Sequence, residues 1–160
     1  MKTPPETKSS ESKGILRRLF IAIFVVMAFT GFGQMPIFKR YYISDIPGMG
    51  WSANFYLTHY IHYLGAGLLF ALFAYFVLDY ILLGRRRFRL TISAYLRIAL
   101  WGGIVTTGVL RVLKNLPDVV FSPNFTLLID VTHLGFVMIY LLTALFLLIL
   151  KSTWVVRKSI

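Results

Sequence analysis

The sequence contains no cysteine. Disulfides, thiolate-held iron–sulfur clusters, cysteine–zinc sites and thiol nucleophiles are therefore excluded for this chain. Charge is scarce too: 14% of residues are charged, and six acids face seventeen lysines and arginines. A soluble domain carries about 25% charged residues. Histidine occurs three times. What is abundant is apolar: 58% of the 160 residues are hydrophobic, against roughly 45–50% in soluble domains. That is the composition of an integral membrane protein.

The net charge of +11 does not point to nucleic acid, because the cations cluster at the ends of apolar runs. That placement fixes membrane topology. Four such runs occur, at about 19–38, 55–83, 92–110 and 125–150. Each is long enough for a bilayer core about 30 Å thick, which takes roughly 20 helical residues. Spans in lipid must be helical or closed barrels, since lipid satisfies no backbone polar group. The first run lacks a following small-residue cleavage site and reads as a retained helix. The expected fold is all-α, an integral membrane four-helix bundle over residues 15–160. Residues 1–14, "MKTPPETKSSESKG", read as a disordered or partner-bound arm. No internal repeat is visible.

Lysines and arginines number five before the first run, four in "GRRRFR" and three in the last segment, twelve in all. Lys39, Arg40, Arg111 and Lys114 make four in the other two connections. This asymmetry puts both termini and "GRRRFR" in the cytoplasm. Lipid-headgroup anchoring is the plain role for that arginine run. Arg97, inside the third run, is expected to snorkel or to pair with Asp79.

Two histidines stand in "THYIHYLGAG", residues 58–67, and the third in "IDVTHLG", residues 129–135. His62 lies eleven residues beyond Trp51, roughly 16 Å at the helical rise. His133 lies ten residues beyond Pro123, roughly 15 Å. The two helices run the same way, so the imidazoles match in depth, in the outer half of the membrane. A neutral imidazole pair on facing helices suits haem iron. His62 is followed at i+3 by Gly65, which leaves room for a macrocycle on that face. His59 is the alternative ligand, but its i+4 neighbour is the bulky Tyr63. An interhelical hydrogen-bonding role for the histidines is the alternative reading. No carboxylate–histidine spacing suggests another metal.

Asp130 precedes His133 by three residues, as His59 precedes His62. Carboxylates inside membranes are costly and usually functional. His59 and Asp130 are thus candidate proton acceptors for a quinol, since its oxidation releases protons with electrons. Asp130 bonded to a histidine or to the 3–4 loop is the bland alternative. Arg111 is a candidate partner for haem propionates, or a snorkelling terminal arginine.

These features resemble the membrane cytochrome b subunit family of respiratory formate dehydrogenases and nickel–iron hydrogenases. The resemblance covers most of residues 15–157 and rests on four helices, cytoplasmic termini and the helix 2–helix 4 histidines. It implies haem b, a quinone (menaquinone or ubiquinone), lipid, and larger iron–sulfur or multihaem subunits of a hetero-oligomeric complex in a prokaryotic inner membrane. It also implies a second, inner haem held by a histidine early in helix 1 and another two heptads along helix 4. Here helix 1 begins "RRLFIAIF", and Leu147 stands two heptads after His133. One haem is therefore expected, with His62 (or His59) and His133 as axial ligands. The chain would be an electron-transfer subunit rather than a complete enzyme. The alternative is a haem-free membrane anchor for a redox complex.

Overall fold

Four helices long and apolar enough to cross a membrane account for most of the chain. In order, α1 spans Glu6–Gly33, α2 Phe55–Leu82, α3 Ile92–Leu113 and α4 Pro123–Ile149. The structure, a computed structural model, describes residues 6–35 and 42–158, with side chains from residue 13 onward. The chain divides into two compact units, Met1–Leu82 and Leu83–Ile160. Each is a helical hairpin, α1 packing on α2 and α3 on α4.

The helix starts are set by capping chemistry. The Asn54 side chain accepts from Leu57 N at 3.1 Å, ahead of α2. The Thr91 side chain accepts from Ala94 N at 3.1 Å. Ser122 accepts from Phe125 N, and Pro123 fills the first helical turn of α4. A short side-chain oxygen satisfies one of the orphan donors at a helix start, and proline there loses no bond. Helix α4 ends with Ser152 N on Leu147 O at 2.9 Å and Lys151 N on Leu148 O at 3.0 Å. Lys151 takes the left-handed conformation at φ 51°, which completes a Schellman turn.

The first helix begins at Glu6, within the segment read as a disordered or partner-bound arm, and residues 1–5 lie outside the described residues. Propagating an established helix adds one bond per residue ordered. Lys13 Nζ also meets the Asp79 carboxylate of α2 at 3.0 Å, fastening the entry turn. The helix stops at Gly33 rather than 38. Residues 36–38 of the expected span lie outside the described residues.

In the second hairpin, "RRRFR" and the final segment form an unexpected ribbon. Strand β1, Phe88–Leu90, pairs antiparallel with β2, Val155–Arg157, in the register Phe88 to Arg157 and Leu90 to Val155. Lys158 adds a backbone bond to Arg87 O at 2.9 Å. Arg97 belongs to this closure. It is 5% exposed, donates from Nη2 to Ser152 O at 3.1 Å and lies 4.8 Å from the Trp154 ring centre. Its guanidinium is thus committed to the final segment rather than to snorkelling, and Asp79 meets Lys13.

Small residues set the helix spacing. A Cβ at Gly65 would stand 2.6 Å from Met27 Sδ, and one at Gly103 2.7–2.8 Å from three Phe136 ring carbons. The packing is reciprocal: α1 offers the bulk in one hairpin and α4 in the other. A thioether swings aside, whereas a flat ring wedged between helices does not. Gly103→Ala is therefore expected to destabilise by about 1–3 kcal/mol, as overpacking does. Gly65→Ala should cost less. Thermal midpoints in detergent check the order. Outward positions such as Leu68 and Leu78 on α2, and Leu142 and Leu148 on α4, are exposed and apolar, a surface suited to lipid.

Candidate functional site

The three histidines sit on α2 and α4, each half-buried. His62 projects onto the last turns of α1. Its Nδ1 lies 3.0 Å from Thr30 Oγ1. Its Cε1 edge is set against Gly31, where a Cβ would approach to 3.2 Å. A threonine thus supplies the polar contact, and the glycine beside it lets the ring close on the helix.

His133 repeats this arrangement in the other hairpin. Its Nδ1 lies 2.9 Å from Thr107 Oγ1, and a Cβ at Gly108 would stand 3.4 Å from its Cε1. Thr30 is fully buried and Thr107 is 8% exposed. Both hydroxyls also reach back along their own helices, to Val26 O at 2.8 Å and Gly103 O at 2.7 Å.

One turn further toward the 1–2 and 3–4 connections, the correspondence continues in altered chemistry. Gln34, four residues after Thr30, places Oε1 3.1 Å from His59 Nδ1. Arg111, four residues after Thr107, places Nε 3.0 Å from Asp130 Oδ1. His59 and Asp130 each precede the following histidine by three residues. The chain is thus two versions of one hairpin, "TGFGQ" with "HYIH" and "TGVLR" with "DVTH". No internal repeat is evident from overall similarity of the two halves. The detectable signal was the Thr-Gly pair near the end of each hairpin's first helix.

Gly65 receives Met27 of α1 rather than offering an open cradle. Among the described residues, Gly67 and Gly135 face open space. His59 is flanked on its own helix by Phe55, stacked at 5.4 Å, and by Tyr63, edge-on at 4.6 Å. Asp130 turns to Arg111 and to Lys114 Nζ at 2.8 Å. Lys114 caps α3 at the head of the 3–4 connection, so the loop pairing anticipated for Asp130 is present. Arg111 is committed to this carboxylate. Two cations around one carboxylate leave the cluster with a net positive charge.

Among the described residues, no group of three or more histidines or acids gathers as a metal site. Porphyrin iron asks less of the protein, two axial donors at most. The donor chemistry suits that demand: each of two imidazoles is tied by Nδ1 to a neighbouring helix, and an imidazole held at Nδ1 is of the kind that ligates through Nε2. No protein-family model, curated protein or solved structure matches this chain.

Proposed function

We propose that the chain is the membrane-anchoring b-type cytochrome subunit of a respiratory redox complex. It passes electrons between the quinone pool and a periplasm-facing iron–sulfur or multihaem partner. In this reading His62 and His133 are the axial ligands of one haem b. The observation that carries this reading is the duplicated setting of the two imidazoles, each fastened by Nδ1 to a buried threonine. Their equal depth, counted along the helices from Trp51 and Pro123, supports the pairing. A bound haem would supply reversible one-electron transfer.

The remaining residues take roles consistent with that task. The net positive Arg111–Lys114–Asp130 cluster suits the carboxylates of haem propionates, which favour guanidinium partners. His59, oriented by Gln34, is the better proton acceptor for a quinol. Asp130 is already engaged by two cations. Twelve cations on the side of the termini and "GRRRFR" orient that side to the cytoplasm of a prokaryotic inner membrane. Both histidines then face the outer half. Helix 1 and Leu147 offer no ligands for an inner haem, so quinone chemistry would stay near the periplasmic face.

The second reading is a haem-free anchor for a redox complex. The same threonine–histidine bonds favour it, since bonds between helices stabilise membrane hairpins without any cofactor. A spectrum decides. Protein purified from a haem-sufficient host is expected to show a dithionite-reducible Soret band and a b-type α-band. Protein of full purity without these bands leaves only the anchor.

A further inference from the structure

We propose that Thr30 and Thr107 are matched positioning residues that lock the two histidines in the Nδ1–H tautomer and raise the basicity of Nε2. The proposal rests on the haem reading for its purpose, but the tautomer assignment stands on hydrogen-bond accounting within each hairpin.

A threonine hydroxyl has one proton to donate and two lone pairs. Thr30 Oγ1 lies 2.8 Å from Val26 O, and Thr107 Oγ1 lies 2.7 Å from Gly103 O. Two oxygens this close need a proton between them, and a carbonyl has none to give. Each hydroxyl therefore donates backward along its own helix. Its oxygen is left to accept from the imidazole, at 3.0 Å for His62 and 2.9 Å for His133. Both rings must then carry their proton on Nδ1, which puts the lone pair on Nε2. The tautomer follows from whichever nitrogen is bound.

The neighbouring glycines give each ring the room to make this bond. At Gly31 and Gly108 the ring edge is already within van der Waals range of the space a methyl would take. The bond also polarises the imidazole. A ring whose N–H is held by an acceptor is a stronger donor at its other nitrogen, so it favours the ferric over the ferrous state of a bound haem. The two threonines should act equally, because the two settings are copies.

The test uses the full-length chain labelled with nitrogen-15 histidine, prepared both without haem and after haem loading. In the haem-free chain, His62 and His133 are expected to show the Nδ1–H chemical-shift pattern. Thr30→Val should move His62 to the Nε2–H pattern, and Thr107→Val should move His133. Thr→Ser at either position should retain Nδ1–H. In the loaded chain each valine variant is expected to weaken haem binding by about 10–100-fold and to raise the reduction potential, with serine restoring both. An Nε2–H pattern in the unsubstituted chain, or valine variants that keep Nδ1–H, would overturn the proposal. A potential unmoved by valine overturns the tuning role. An unsubstituted chain that shows Nδ1–H at both sites yet takes up no haem overturns the haem reading and leaves the tautomer lock standing.

Discussion

His62→Ala and His133→Ala are each expected to abolish the b-type spectrum, while His59→Ala keeps it. The contrast follows from what each ring touches. His62 and His133 meet a Thr-Gly step on the adjacent helix. His59 meets Gln34 and is enclosed by the rings of Phe55 and Tyr63 from its own helix. A macrocycle needs clearance on both sides of its ligand, which those aromatic rings occupy. Loss of the spectrum in the first two variants would not reflect unfolding. Each loses its interhelical hydrogen bond to a threonine, worth about 0.6–1.7 kcal/mol in a membrane protein. That is small beside the packing of two helices of more than twenty residues each. Haemochrome content per mole of protein, measured beside the yield of monodisperse protein in detergent, separates the two effects. A His59→Ala variant that loses haem while His62→Ala keeps it would reverse the ligand assignment.

Much of the fold could be read from the sequence because lipid allows few alternatives. Three of the four helices begin within two residues of the apolar runs, where Asn54, Thr91 and Ser122 supply the stop between loop and helix. The start of α1 could not be read this way. Residues 6–12 have no apolar period, and their helix is continued from the span behind them. The ribbon was hidden for another reason: strands of three residues carry too few positions to show alternation. The histidines were legible as an anomaly in apolar helices. Their partners were not, because a threonine in a membrane helix is ordinarily satisfied by its own backbone. The repeat escaped because its second layer changed residue type, Gln34 and His59 in one hairpin against Arg111 and Asp130 in the other. The bulky side of the small–large contact also moved, from Met27 on the first helix to Phe136 on the second.

Arg97→Ala is expected to destabilise the second hairpin by about 2–4 kcal/mol, the range of buried large-to-small changes, and to release its final segment. Arg97 reaches from α3 to the chain beyond α4, where its guanidinium joins Ser152 O and the Trp154 face. The β1–β2 pairing continues from that point through Thr91 N on Trp154 O at 3.1 Å. Three-residue strands hold poorly alone, since an isolated two-stranded ribbon is marginal in water. The arginine therefore fastens the ribbon as much as the ladder does. Arg97→Lys should recover only part of the loss, because an ammonium keeps the charge but not the planar stack on tryptophan. Arg97→Met should also be milder than alanine, because it keeps the packed stem. Trypsin reads the release directly: Arg157 and Lys158 lie in and just after β2. Cleavage there should be fastest in the alanine variant and slower in the other two, in step with their thermal midpoints. Unchanged cleavage in Arg97→Ala would mean that the ribbon holds itself, and that the buried cation serves some other partner.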